Sequence, residues 1–180
     1  MSKKRNISKF YLASSIISWI ITAVWIILIF KLSGENGTEA SERSNDIINI
    51  INSLTGVKLT NITLVRKIAH VTEYAILTIF TFISIRFTNK ISPETSYAES
   101  HVKMMKSDNE MYIGMTLWFT VLCSIFDEYY QLFVDGRDGS IIDTCIDMIG
   151  IVVVLLIIRI GFLIYLKEIG KEEYRYEGNL

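Results

Sequence analysis

Long apolar stretches alternate with polar connections along this chain, and they set its architecture. The first, Tyr11 to Phe30, reads YLASSIISWIITAVWIILIF and contains no acidic or basic residue. About 20 helical residues, rising about 1.5 Å each, cross a hydrocarbon layer of about 30 Å, so this segment can span a bilayer by itself. Further apolar stretches run over residues 68–87, 111–130 and 141–166, the last long enough for a tilted helix. The pattern predicts an all-α, integral membrane helical bundle with four transmembrane helices, forming a single domain over residues 1–180.

The connections carry their own signals. Residues 31–65 are rich in Ser, Asn and Gly and include SNDIINIINSLTGV, where Ile47, Ile50, Ile51 and Leu54 share one helical stripe. Such a helix either lies flat on the membrane surface or caps the bundle. The connection over 88–110 holds the only proline, Pro93. Basic residues favour cytoplasmic flanks. The N-terminal tail, the segment with Arg86, Lys90, Lys103 and Lys106, and the tail with Lys167, Lys171 and Arg175 fall on one side of a four-span chain. Lys31, Arg43, Lys58 and Arg137, with Arg66 and Lys67 at the mouth of the second span, fall on the other. Both termini are therefore expected to be cytoplasmic.

Composition narrows the classes. A net charge of -1 without a basic, aromatic-laced tract argues against nucleic acid as a partner. Cys123 and Cys145 lie in apolar stretches, where a small buried side chain is expected and not a disulfide. The first stretch follows Lys3, Lys4, Arg5 and Lys9 as a signal peptide would. It exceeds a typical signal core and lacks a cleavage site, so it reads as an uncleaved anchor. The Asn-x-Ser/Thr triplets at Asn6, Asn36 and Asn61 are expected to be accidental if the host is bacterial.

The ionisable residues gather. Arg66, His70 and Glu73 open the second span at spacings of four and three, within about 60° of one another on a 3.6-residue helix. Asp127 and Gln131 share a face at the end of the third span, with Glu128 beside them, and Ser140, Asp143, Asp147 and Gly150 align at the start of the fourth. Four-span topology puts all of them at the outer face. A charge at mid-membrane costs about 2.5–3.5 kcal/mol, less near the interface, so a cluster needs mutual pairing or a ligand. Arg66 and Arg137 are the natural counter-charges for Glu73, Asp127, Asp143 and Asp147. A salt-bridge network that merely fastens helices is the competing explanation. Arg159, inside the fourth span, either snorkels to the cytoplasmic side or pairs across helices. Tyr74, Tyr129 and Tyr130 are expected at interfaces or in packing.

Three blocks, RKIAHVTEYAIL from Arg66, FDEYYQLFVDGRDGSIID from Phe126 and DMIG from Asp147, resemble the VanZ-like membrane proteins. The order K-x-x-H-x-x-E-Y, D-E-x-x-Q, G-R-x-x-S-x-x-D is that of the family, and Ser41 and Ser44 resemble its serine-bearing segment after the first helix. The chain departs from the pattern at Asp147, where Asn is more usual. The resemblance implies a multi-pass protein of the bacterial plasma membrane, typically Gram-positive, associated in some members with resistance to teicoplanin and related glycopeptides. It marks Lys67, His70, Glu73, Tyr74, Asp127, Glu128, Gln131, Gly136, Arg137, Ser140 and Asp143 as functional.

Three functions compete. The first is an outward-facing polar pocket that binds an envelope lipid, a cell-wall precursor headgroup or a glycopeptide, with membrane lipids as its immediate partners. The second is a membrane-embedded enzyme acting on a lipid-linked substrate, with Glu73 or His70 as acid/base and the Asp pair ordering a divalent metal or a cation-bearing substrate. The third is a proton- or ion-coupled transporter. No catalytic signature decides among them, no cofactor is expected, and a divalent metal has no motif of its own. Spacing does not fix the oligomeric state.

Overall fold

A computed structural model describes residues 8–56, 58–91 and 101–177, apart from the side chains of 101–103 and 170–177. Pro93, Asn6 and the N-terminal basic cluster Lys3, Lys4 and Arg5 lie outside the described residues. Five helices follow one another: α1 (Lys9–Ser33), α2 (Gly37–Thr55), α3 (Ile62–Asn89), α4 (His101–Gln131) and α5 (Ile141–Glu177). Among the described residues, α1, α3 and the Ile141–Ile169 part of α5 are long and apolar enough to cross a membrane. By length and composition the fold thus carries three candidate spans where the apolar pattern predicts four.

The difference lies in α4. This helix begins at His101, well before the expected apolar start, and its first half carries Lys103, Lys106, Asp108 and Glu110. Its polar residues are also placed inward: Thr116, Thr120, Ser124 and Asp127 are fully buried, whereas Met111, Met115, Trp118 and Phe126 are exposed. A helix that turns hydroxyls toward its neighbours and apolar side chains outward loses mean hydropathy without losing an apolar outer surface.

The same inversion holds the other helices together. Outward positions of α1 and α5, such as Ile20, Val24, Ile27, Val153, Ile157 and Ile164, are exposed and apolar. Inside, α1 and α3 join through Ser15 Oγ and Thr88 Oγ1 at 2.8 Å and through Thr22 Oγ1 and Ser84 Oγ at 3.0 Å. Trp25 Nε1 adds a donation to the Glu73 carbonyl at 3.0 Å. Small hydroxylated residues allow close backbone approach and bond across helices where water is absent. The apolar centre is Ile29, Tyr74, Leu77, Ile151 and Leu155. Helix α3 packs against each of the other four.

Helix α2 starts with a capping box. Asn36 Oδ1 accepts from the Thr38 and Glu39 amides, and Glu39 Oε2 accepts from the Asn36 amide. Gly56, at φ 70°, ends it in the left-handed conformation that glycine adopts readily. Ala40, Ser44 and Ile48 are buried on the side facing α3, Ile47 and Ile51 are half-buried, and Ile50 and Leu54 are exposed. The helix therefore caps the bundle with one flank and leaves the rest of its apolar stripe free. Asn61 likewise caps α3, its Oδ1 accepting from the Leu64 amide at 3.0 Å. Two of the three Asn-x-Ser/Thr triplets are thus helix starts.

Candidate functional site

Cross-helix bonds bring four helix ends together. Ser33 at the end of α1 bonds Asp127 near the end of α4, and Lys67 near the start of α3 faces Asp143 near the start of α5. The ends of α1 and α4 and the starts of α3 and α5 therefore form one polar end of the bundle, covered by α2 and by the connection of residues 132–140.

A close crossing of α3 and α5 sets the register there. A Cβ at Gly150 would collide with the Val71 carbonyl, so a side chain at this position would force the two helices apart. One turn earlier on α5, Asp147 then faces His70 on α3, with Oδ1 and Nδ1 3.8 Å apart. The last turn of α4 supplies Glu128, so that one donor atom each from His70, Glu128 and Asp147 lie within 4.8 Å of one another. This trio, with Glu128 and Asp147 buried and His70 half-buried, is the set among the described residues that could hold a metal ion.

The carboxylates are held from behind. Ser124 Oγ donates to Asp147 Oδ2 at 2.7 Å, leaving Oδ1 without a hydrogen-bond partner. The Ser140 amide donates to Glu128 Oε2 at 2.9 Å, and Gln131 Nε2 lies 3.3 Å from Glu128 Oε1. Gly139 makes the Ser140 contact possible, since a Cβ there would run into the Glu128 carbonyl. A cavity of about 290 Å³ opens onto the trio. Arg66, Lys67, Gln131 and Asp143 line its polar wall, and Ile142 and Ile146 its apolar one.

A second cavity, of about 140 Å³, lies on the other side of Arg66 and His70. Glu73 borders it, with Ser33, Arg43 and Arg137. Asp127 is fully buried nearby; its Oδ2 accepts from Ser33 Oγ at 3.0 Å and from Gln131 Nε2 at 3.3 Å, and its Oδ1 has no hydrogen-bond partner. Tyr74 is fully buried in the apolar centre, its hydroxyl 3.4 Å from the Cys123 carbonyl, whereas Tyr129 and Tyr130 are exposed. The predicted residues thus divide: Arg66, Lys67, His70, Glu128, Gln131, Ser140, Asp143 and Asp147 surround the larger cavity, Glu73 and Arg137 border only the smaller, and Asp127 and Tyr74 line neither.

Arg137 departs from its expected part. Its Nε donates to the Glu35 carbonyl at 3.2 Å, and one Nη donates to the carbonyls of Leu32 and Ser33 at 3.2 and 3.3 Å. The guanidinium therefore closes the C-terminal end of α1, whose last carbonyls lack intrahelical partners, instead of pairing directly with the acids. Gly136, at φ 71°, and Gly37 meet where a Cβ on Gly37 would strike the Gly136 carbonyl, and this docking carries Arg137 to α1. Burial and the nearby cations Arg66 and Arg43 lower the Arg137 pKa from its ordinary value; a guanidinium stays charged nonetheless. Asp143 is paired by Lys67, at 3.7 Å, and not by either arginine expected to serve it.

Elsewhere, Arg159 pairs across helices, its Nε 3.0 Å from Glu110 Oε1. Both cysteines are free, Cys123 half-buried and Cys145 exposed; the apolar stretch around Cys145 faces outward, so it does not bury that side chain. Ser33 and Ser124 were not foreseen as site residues. Each is a lone hydroxyl in or at the edge of an apolar stretch, the available signal for a buried partner.

Neither the curated proteins nor the solved structures contain a match to this chain. The family model for VanZ/LLP1 matches residues 18–164, a span that includes all three motif blocks and the whole polar end. The chain is a multi-pass membrane protein and belongs to the VanZ/LLP1 family.

Proposed function

We propose that the chain crosses the bacterial plasma membrane four times, with both termini cytoplasmic, and binds an anionic headgroup of an envelope lipid or lipid-linked cell-wall precursor in the larger cavity at its outer face. The observation that carries this is the lining of that cavity. Arg66 and Lys67 supply the cations of that lining, beside the acids Glu128, Asp143 and Asp147; Gln131 and Ser140 supply neutral polar groups, and Ile142, which is 65% exposed, forms an apolar lip. A headgroup needs charge and hydrogen bonds inside, and an acyl or prenyl tail needs an apolar exit beside them. The outward Met, Trp and Phe side chains of α4 support its place as the third of four spans.

Binding to the full chain in phosphatidylcholine nanodiscs tests this directly. A polyprenyl phosphate is expected to bind in preference to its uncharged alcohol, and Arg66→Gln to weaken that preference at least about tenfold, the loss expected of one charge-assisted contact. Equal binding of phosphate and alcohol would overturn the proposal. Contribution to resistance against teicoplanin-type glycopeptides, or to envelope homeostasis, follows from the family resemblance. A deletion strain complemented with Arg66→Gln at wild-type membrane levels is expected to show the susceptibility of the deletion itself.

The convergence of His70 with carboxylates favours a second function, an enzyme that modifies the same headgroup by acid/base chemistry. Identical lipid profiles after incubation with wild type and with His70→Gln would discard it.

A further inference from the structure

We infer that His70, Glu128 and Asp147 form a binding site for one divalent transition-metal ion, of the Zn²⁺ or Mn²⁺ class, at the floor of the larger cavity. The geometry begins with Asp147, which has no exposed surface. Its Oδ2 is held by Ser124, while Oδ1 has no hydrogen-bond partner and points to His70 Nδ1, which has none either. Their separation of 3.8 Å is too long for a hydrogen bond. A buried carboxylate oxygen and a buried imidazole nitrogen left facing each other are costly unless something between them binds both.

Glu128 completes the set from a third helix, with the three donor atoms inside 4.8 Å. Metal–ligand bonds of about 2.0–2.2 Å place donors about 3–4 Å apart, so a modest inward movement of these side chains closes the cage. The surroundings have the character of a metal site. Each carboxylate is oriented by a further donor, Ser124 on Asp147 and the Ser140 amide on Glu128, as ligating carboxylates are in known sites.

Ligand chemistry selects the ion. One imidazole with two carboxylates suits first-row transition metals, whereas Mg²⁺ and Ca²⁺ take oxygen donors. Three protein ligands leave coordination positions open toward the cavity, on the side of Lys67 and Arg66. The ion's charge would balance the two carboxylates, which have no Arg or Lys pairing of their own among the described bonds. An anionic headgroup completing the ion's coordination would join this site to the headgroup pocket, and that step alone rests on the proposed function.

The test uses the full chain in phosphatidylcholine nanodiscs, stripped with chelator and titrated separately with Zn²⁺ and Mn²⁺, with bound metal counted after desalting and thermal unfolding followed in parallel. With no anionic lipid present, failure here leaves the headgroup proposal standing. Wild type is expected to bind about one ion per chain and to unfold at higher temperature when loaded. His70→Gln and Asp147→Asn are each expected to weaken binding at least about tenfold, and Asp138→Asn, at an exposed acid of the same end, to leave it unchanged. If either ligand variant fails to fold, Ser124→Ala carries the test, with affinity expected to fall about tenfold because Asp147 loses its anchor. Absence of saturable binding to wild type, or equal binding by wild type and these variants, would overturn the inference.

Discussion

Asp127 and Asp147 occupy equivalent predicaments on different helices: each is fully buried, each has one oxygen held by a serine, and each leaves the other oxygen unpartnered. An unsatisfied buried polar group costs about 1–3 kcal/mol, and more when charged. Arg137 spends its Nε and one Nη on three carbonyls at the end of α1, while its other Nη, like the free aspartate oxygens, is buried without a hydrogen-bond partner. Replacing it by Ala is expected to lower unfolding stability by about 1–3 kcal/mol, read from thermal or chemical unfolding in detergent. Arg137→Lys is expected to recover less than half of that, because an ammonium cannot reproduce the planar fork. Full recovery by Lys would mean that net charge matters there and the fork does not. This role was not legible in the sequence: the motif places Arg137 near the acids, and only the docking of Gly136 on Gly37 turns it toward α1. The carboxylate cluster itself was legible, because helical spacing fixes which side chains share a face.

Among the elements, the apolar stretches were legible for α1, α3 and α5, each a helix long and apolar enough to cross a bilayer core even where a few charges interrupt it. Helix α4 was less so, because a window average cannot tell a helix that hides its hydroxyls from one that is simply polar. The caps at Asn36 and Asn61 were legible only as an Asn before a helical run, a signal that coincides with Asn-x-Ser/Thr. Two helical glycines make opposite predictions. Gly150 sits against the Val71 carbonyl, so Gly150→Ala is expected to destabilise the bundle by about 1–3 kcal/mol through overpacking. Gly114 has open space around it, and Gly114→Ala is expected to stabilise by up to about 1 kcal/mol through helix propensity. Parallel unfolding curves check the pair; similar effects of the two changes would deny the close α3–α5 crossing that aligns His70 with Asp147.

For the whole molecule, the proposed four crossings with cytoplasmic termini place Lys58 and Asp138 on the outer side and Lys167 on the inner. In a chain with Cys123→Ser and Cys145→Ser, cysteines introduced by Lys58→Cys and Asp138→Cys are expected to react with an impermeant maleimide in intact cells, and Lys167→Cys only after permeabilisation. Labelling of positions 58 and 138 on opposite sides would remove α4 as a span. Such a result would also separate the polar end from a single membrane face, since α4 contributes Glu128 and Gln131 to it.

The decisive distinction is between a pocket that receives a ligand and a charge network that only fastens helices. Lys67 separates them, because it is partly exposed, lines the larger cavity and faces Asp143 at 3.7 Å. A partly exposed pair of this kind contributes about 0–1 kcal/mol to stability. The measurement is the affinity of Lys67→Met for a polyprenyl phosphate in nanodiscs, taken together with its unfolding temperature. A ligand pocket predicts affinity reduced about tenfold or more with unfolding nearly unchanged, whereas unchanged affinity with a clearly lowered unfolding temperature would contradict it and leave the polar end as a structural network.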